Sequence, residues 1–341
     1  MPLLSIILPV YNGASFLQRA IDSVLSQSLQ SWELILVNDG STDETDDICR
    51  EYSIKEKRIH YICQDNRGLS AARNTGFSYA SGDYIAYLDA DDFVSSSYYQ
   101  CLIHELEQSS ADLIISGFIR EFHRKSGRQY ITAVRWTQKY ISIPKQINRE
   151  SQTLEFYHAY IHVWNKLYRR NFLLKNHVTF DESLRYGEDV PYNICVLSHA
   201  ASILFSENTG YHYVCHSSTQ LTTRWNDTLI ESNADIYRRI KQHELNIWHI
   251  SESYIASGMY LRGCFLFIEK AINFKVPLSN IYRHIKTIIN MPETKYSIAA
   301  LSYHCPSIEF YLYCLILRTR NTNIIYIAAL MRRGIKIMLG R

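Results

Sequence analysis

Short apolar runs alternate with amphipathic stretches through the first 120 residues. Leu4–Val10, Leu34–Val37, Ile59–Cys63, Tyr84–Leu88 and Leu113–Ser116 have the length and composition of buried strands. Between them, Ser15–Ser26 sets Phe16, Leu17, Ala20, Ile21, Val24 and Leu25 at helical spacing. Thr42–Tyr52 reads as an acidic helix with Ser41/Thr42 at its N-cap. Leu69–Ala80 reads as a helix entered through Gly68, and Tyr98–Gln108 as a fourth helix. Strands separated by helices of about 10–12 residues predict βαβ units and a mostly parallel sheet, an α/β fold. Residues 118–150 read as a hairpin-rich insert, and Leu154–Leu174 as a helix with Trp164, Leu167 and Tyr168 as its apolar points. Gly187-Glu188-Asp189 opens a short helix at Val190–His199, and Ile203–Phe205 and Tyr211–Cys215 read as strands. From Asp227 to Leu339 the pattern is successive helices. The predicted organisation is therefore residues 1–120, 121–225 and a helical 226–341.

In a parallel sheet, ligands bind beyond the carboxyl ends of the strands. Those ends here are Pro9-Val10-Tyr11-Asn12, Asn38-Asp39-Gly40-Ser41, Gln64-Asp65-Asn66 and Asp89-Ala90-Asp91-Asp92. Three of the four carry aspartate, which a parallel-sheet core does not require. The charge distribution agrees. Residues 1–120 hold 8 Lys and Arg against 17 Asp and Glu, a net −9, whereas 121–341 carry +12. The acidic part suits a metal or a polar ligand, and the basic part suits phosphates or a membrane surface.

Composition bounds the class. The chain has 341 residues, 47% hydrophobic and 20% charged, which fits about two globular domains and excludes a disordered or collagenous chain. Its 26 tyrosines hint at amphipathic surfaces. The eight cysteines form no C-x-x-C pair, so neither a zinc site nor a redox dithiol is indicated, and reduced thiols in the cytosol are expected. The start MPLLSIILPVYNG lacks a basic n-region and reads as a strand rather than a signal peptide. No apolar run reaches the roughly 18 residues that a membrane span needs.

Asp89-x-Asp91 directly follows a strand, so its carboxylates can hold Mg²⁺ or Mn²⁺, which in turn binds phosphate oxygens. Alone, the same residues could merely cap a helix. No G-x-G-x-x-G follows the first strand, and no P-loop motif occurs anywhere, so the sequence does not support a dinucleotide dehydrogenase or a P-loop NTPase. A carboxylate–metal device without a glycine phosphate cradle points to a nucleotide-sugar transferase.

Four ordered segments carry a resemblance. They are Ser5-Ile6-Ile7-Leu8-Pro9-Val10-Tyr11-Asn12, Val37-Asn38-Asp39-Gly40-Ser41-Thr42-Asp43, Gly68-Leu69-Ser70-Ala71-Ala72-Arg73-Asn74 and Leu88-Asp89-Ala90-Asp91-Asp92. Together they resemble the family 2 glycosyltransferases of the GT-A fold, over about residues 3–220. The resemblance implies that Asp39 bonds the uracil edge and that Pro9 and Tyr11 flank the base. It implies that Asp65, Asn66 and Arg73 belong to the segment closing over the nucleotide, and that Asp89 and Asp91 touch ribose and metal, with Asp91 the firmer ligand. Residues 1–120 would then be the nucleotide-sugar half of the GT-A domain, and 121–225 the acceptor and catalytic-base half. Trp164-Asn165-Lys166-Leu167-Tyr168 matches a recurrent family segment whose role is packing or acceptor contact. Tyr186-Gly187-Glu188-Asp189 resembles the family's E-D motif, so Asp189, with Glu188 beside it, is the expected general base. At a helix N-terminus Asp189 should have a lowered pKa. His216 is a further metal or diphosphate candidate, although the family more often has arginine nearby.

The expected activity is inverting, metal-dependent transfer of a hexose, Glc or Gal, from a UDP-sugar. The expected acceptor is GlcNAc or GalNAc on a polyprenyl diphosphate, joined by a β-linkage in O-antigen, capsule or exopolysaccharide assembly. Alternatives are a lipooligosaccharide, teichoic acid or protein acceptor, or a non-catalytic sugar-nucleotide-binding protein. No nucleic-acid partner is expected. After Glu309 the chain has no acidic residue but has Arg318, Arg320, Arg332, Arg333, Lys336 and Arg341 among apolar ones. These helices suit either the inner surface of the cytoplasmic membrane or packing on the catalytic domain.

Overall fold

The computed structural model describes residues 2–123, 129–184, 186–216 and 226–338. By its internal contacts the chain forms two compact units. One comprises 1–147 with 159–223, and the other comprises 148–158 with 224–341.

The first unit begins with strictly alternating elements: β1 (Leu4–Val10), α1 (Leu17–Leu25), β2 (Trp32–Asp39), α2 (Thr45–Lys55), β3 (Ile59–Gln64), α3 (Leu69–Tyr79) and β4 (Tyr84–Tyr87). Next come β5 (Phe93–Val94), α4 (Tyr98–Glu107), β6 (Leu113–Ser116), β7 (Phe118–His123), β8 (Gln129–Val134) and β9 (Lys139–Ser142). α5 (Ile143–Glu150) and α6 (Leu154–Ile161) lead to β10 (Lys166–Arg169), α7 (Arg170–Lys175), α8 (Asp189–His199), β11 (Ser202–Ser206) and β12 (Tyr211–His216).

An eight-stranded sheet has the order β3-β2-β1-β4-β10-β6-β11-β9. β1 to β4 are parallel, as the alternation predicts. Every residue of β1 and β2 is buried, which is why these strands are continuous apolar runs rather than alternating ones. Pro9 can sit in β1 because the register with β4 ends at Ile7, so that side of the strand is no longer paired there. A second sheet, β5-β12-β7-β8, contains the β7–β8 hairpin expected within 118–150.

Two predicted elements differ. Leu154–Leu174 is not one helix: after α6 the chain becomes β10, antiparallel to both β4 and β6. Trp164, Leu167 and Tyr168 satisfy helical spacing, yet all three are buried in and beside a central strand. Trp164 stacks on Tyr211 with centroids 4.4 Å apart. Helix α2 starts at Thr45 rather than Thr42, because Ser41 and Thr42 are bonded to Asn12 instead of capping.

The second unit is helical, with α9 (Leu229–Trp248), α10 (Tyr254–Asn273), α11 (Leu278–Asn290), α12 (Pro292–Tyr303), α13 (Ile308–Arg318) and α14 (Thr322–Met338). α10 is its centre and buries Ile255, Tyr260, Leu261, Cys264, Phe265 and Ile268. Among the described residues no helix is long and apolar enough to cross a membrane. All eight cysteines are free thiols.

Candidate functional site

Because β1–β4 run parallel, the loops leaving their carboxyl ends share one edge of the sheet. Two of those loops are stapled together. The Thr42 amide donates to Asn12 Oδ1 at 2.7 Å, and the Asn12 amide donates to Ser41 Oγ at 2.9 Å. Gly40 leaves β2 at φ +72°, with the Asn66 amide nitrogen 2.7 Å from where a Cβ would stand. Only glycine fits that turn.

Asp39, 3% exposed, organises this edge. Its Oδ1 accepts from Gln64 Nε2 at 2.7 Å and from the Arg67 amide at 2.9 Å, while Oδ2 accepts from the Gly68 amide at 2.7 Å. The carboxylate thus shapes the turn between β3 and α3. Tyr11, Asp65 and Asn66 are exposed on the same edge, and Pro9 is buried in β1. These five residues were all nucleotide-side candidates, and the structure gathers them at one place.

Arg73, the sixth, lies elsewhere. Its side chain projects from α3 and is 2% exposed. Nη2 donates to Asp89 Oδ1 at 2.9 Å, and Nη1 donates to Glu188 Oε1 at 3.0 Å and to Asp189 Oδ1 at 2.8 Å. Its guanidinium also lies 5.1 Å from the centroid of the Phe180 ring. Arg73 therefore joins the D-x-D turn to the E-D turn from within the protein. Asn74, which was not singled out by its chemistry, completes the join. Its amide donates to the Phe180 carbonyl at 2.9 Å and accepts from the Phe180 amide at 2.8 Å. Two hydrogen bonds to a distant backbone cannot be inferred from an asparagine in a helix.

The E-D turn is formed by Gly187 at φ +72° followed by α8. Glu188 stands at the N-cap position but makes no side-chain capping bond, so its carboxylate is not spent on the helix. Asp189 does not have the lowered pKa expected at a helix N-terminus. Burial raises it to about 7, against the pull of Arg73 and with the push of Glu188 and Asp89. A charge imbalance adds to the effect of burial. One guanidinium faces three carboxylates in a poorly solvated place, so a proton on one of them is inexpensive, and the group titrates as a unit. Lys166 in β10, 1% exposed, is the next cation. Burial lowers its pKa to about 7 and Asp189 acts in the opposite direction. Its ammonium donates to the His162 carbonyl. In the sequence Lys166 is only one residue of the Trp164–Tyr168 segment, and helical spacing hides a lysine placed inside a sheet.

At the D-x-D turn, Asp89 and Asp91 are partly exposed and Asp92 is buried. Arg19 Nη2 donates to the Asp91 carbonyl at 2.6 Å, which fixes the turn. Asp92 accepts from the Tyr211 hydroxyl and the Val214 amide, both at 2.8 Å, and so ties the turn to β12. Burial raises the Asp92 pKa well above the usual value, and the charges of Asp91 and Asp89 raise it further. Among the described residues no three His, Cys, Asp or Glu side chains converge into a ready-made cage. Asp89 and Asp91 nevertheless suit a hard divalent cation. They are oxygen donors, they reach solvent, and their mutual negative potential is what a cation would relieve. His216 ends β12, but its side chain lies outside the described residues.

A model for glycosyl transferase family 2 matches residues 5–175. The chain belongs to that family. A similar relative of this family 2 member is the uncharacterized glycosyltransferase EpsJ of Bacillus subtilis (strain 168), 36% identical over 213 residues, covering 62% of this chain and 61% of EpsJ. The match thus spans under two thirds of that relative. S. aureus TarS 1–349 in complex with UDP-GlcNAc shares the fold at a TM-score of 0.64 and 18% identity, over 98% of this chain and 92% of the other. The mannosyltransferase PcManGT from Pyrobaculum calidifontis, in complex with GDP-Man and Mn²⁺, does so at 0.52 and 14% identity, over 100% and 88%. The fold is the GT-A type, α/β with a mostly parallel sheet and a helical C-terminal region.

Proposed function

We propose that this family 2 member is an inverting, metal-dependent glycosyltransferase that uses a UDP-sugar, with Glc or Gal the favoured hexose. Its acceptor is a GlcNAc or GalNAc on a polyprenyl diphosphate at the cytoplasmic face of the membrane, and the pathway is surface-polysaccharide assembly. One observation carries the reading. Asp189, with a pKa near 7, shares the buried guanidinium of Arg73 with Asp89 of the D-x-D turn. A base of that pKa is matched to a sugar hydroxyl at neutral pH. The similarity to a UDP-GlcNAc complex supports the donor class.

In this mechanism the acceptor oxygen attacks the anomeric carbon as its proton passes to the Asp189 carboxylate. The bond from that carbon to the diphosphate oxygen breaks, and UDP leaves with the electron pair. Asp189 orients the hydroxyl on the face opposite the leaving group, which gives inversion. Arg73, which also donates to Glu188, holds Asp189 in place. Tyr11, Asp39, Asp65 and Asn66 form the edge on which the nucleoside rests. Asp91 and Asp89 would hold Mn²⁺ or Mg²⁺, which supplies positive charge to the departing diphosphate.

The test is a donor screen with Mn²⁺, offering UDP-Glc, UDP-Gal, UDP-GlcNAc, UDP-GalNAc and UDP-GlcA with and without a GlcNAc- or GalNAc-diphosphoryl-lipid analogue. Acceptor-dependent UDP release from one donor, lost with EDTA and in Asp91→Ala, is expected. Metal-dependent UDP binding without turnover would reject the acceptor, and no UDP binding would reject the reading as a whole.

A further inference from the structure

Helix α13 is apolar on two sides. Its inner side, Phe310, Tyr313, Cys314 and Leu317, is buried against α10 and α12. The Phe310 ring lies against Gly258 of α10, and Tyr313 stacks on Phe265 with centroids 4.6 Å apart. That face is satisfied by the helical unit itself. The outer side repeats the apolar spacing. Ile308, Tyr311, Leu312 and Leu315 stand at i, i+3, i+4 and i+7, and all four are exposed, Ile308 at 81%. Ile327 and Met331 add exposed apolar side chains on α14. A surface helix ordinarily turns a polar face to water. Scattered exposed leucines need no explanation, but an ordered row on a helix whose other face is already packed does.

Charge selects the occupant. From residue 310 onward the chain has no Asp or Glu and has six Lys or Arg. The one acid on α13, Glu309, lies 3.9 Å from Arg262 and 3.5 Å from Arg332, which is also paired with Glu269, whereas Arg318 and Arg320, at and just beyond the end of α13, are exposed. An apolar phase edged with negative charge meets both features. No described helix can span a bilayer, so the contact lies on the surface.

We infer that the outer face of α13, with Ile327 and Met331 of α14, is a docking surface for an anionic lipid bilayer. It deepens the function proposed above, on which it rests for its setting, because a polyprenyl-linked acceptor is held in such a bilayer. Apolar side chains enter the boundary between headgroups and acyl chains, while Arg318 stays at the level of the lipid phosphates.

The experiment is vesicle flotation of the full chain without donor. It compares phosphatidylcholine alone with phosphatidylcholine containing about a third phosphatidylglycerol, as a model anionic surface. The wild type should float with the anionic vesicles and less with the neutral ones. Leu312→Glu/Leu315→Glu should lower the partition coefficient at least about tenfold, because two apolar side chains are withdrawn and two negative charges added. Arg318→Glu should lower it about fivefold or more on the anionic vesicles only. All these side chains are exposed, so circular dichroism and UDP binding should match the wild type. Background flotation of the wild type, or equal flotation of the double variant, would overturn the inference. So would a lipid-free dimer by light scattering that the double variant dissociates. A chain that floats but uses no donor keeps this docking surface and loses the proposed activity. A chain that turns over a soluble acceptor analogue but never floats does the reverse.

Discussion

Asp39, buried, and Asp189, half-buried, both stand at the ends of regular elements, and the protein treats them in opposite ways. Asp39 receives three hydrogen bonds from a side-chain amide and two backbone amides, and it shapes the turn beside it. Asp189 shares one guanidinium with two other carboxylates, and burial raises its pKa to about 7. A carboxylate surrounded by fixed donors is a structural fixture and a binding post. A carboxylate short of positive charge in a dry place can exchange a proton. The hydrogen-bond partners of the two aspartates thus support the separate roles proposed for them.

The sharpest way to break this contrast is Asp189→Asn. It keeps the shape and removes the base, so kcat should fall by about 10²–10⁴ while the UDP dissociation constant stays within about twofold. Weakened UDP binding, measured by calorimetry, would place Asp189 on the donor side instead. Arg73→Met comes next. It leaves three carboxylates without their common cation, and removing one member of a buried ion pair costs about 3–5 kcal/mol. Urea unfolding should show that loss. Arg73→Lys, which retains the charge without the fork, should fold and lose about tenfold or more in kcat. An undiminished kcat in Arg73→Lys would show that the guanidinium's geometry is not needed. Asp39→Asn is the mildest. Its amide nitrogen would face a backbone N–H whichever oxygen it replaced, so UDP binding should weaken about tenfold with kcat at saturating donor nearly unchanged. Equal loss in kcat would erase the distinction between the two aspartates.

The donor edge was the more legible half. β1 to β4 are joined by single helices, so local periodicity also predicts their parallel direction. The strand-end aspartates and Tyr11 then fall on one edge by topology alone. β10 was not legible, because it enters the sheet antiparallel between two strands distant in sequence. Its flanking aromatics, Trp164 and Tyr168, obey helical spacing as well as they suit a buried strand. Lys166 was hidden for the same reason. The resemblance of Tyr186–Asp189 singled out Asp189, and the helix dipole gave the wrong direction for its pKa. Burial, the count of neighbouring carboxylates and the sharing of Arg73 are tertiary facts. The hydrogen bonds of Asn74 and the anchoring of β12 by Asp92 are of the same kind. In the helical unit, the basic, acid-free end was visible in the sequence, whereas which face of α13 stays uncovered was not.

The most direct test of the central claim is the pH dependence of kcat under saturating donor and acceptor, for the wild type and for the residual activity of Asp189→Asn. A base acts only when ionised, and burial raises the folded pKa of Asp189 to about 7. Activity should therefore be full above that value and fall as pH drops through it. The wild type should show this acid limb with a midpoint of about 7, and Asp189→Asn should lack it. A flat wild-type profile from about pH 5 to about pH 9, or the same limb in Asp189→Asn, would contradict the assignment of Asp189 as the base.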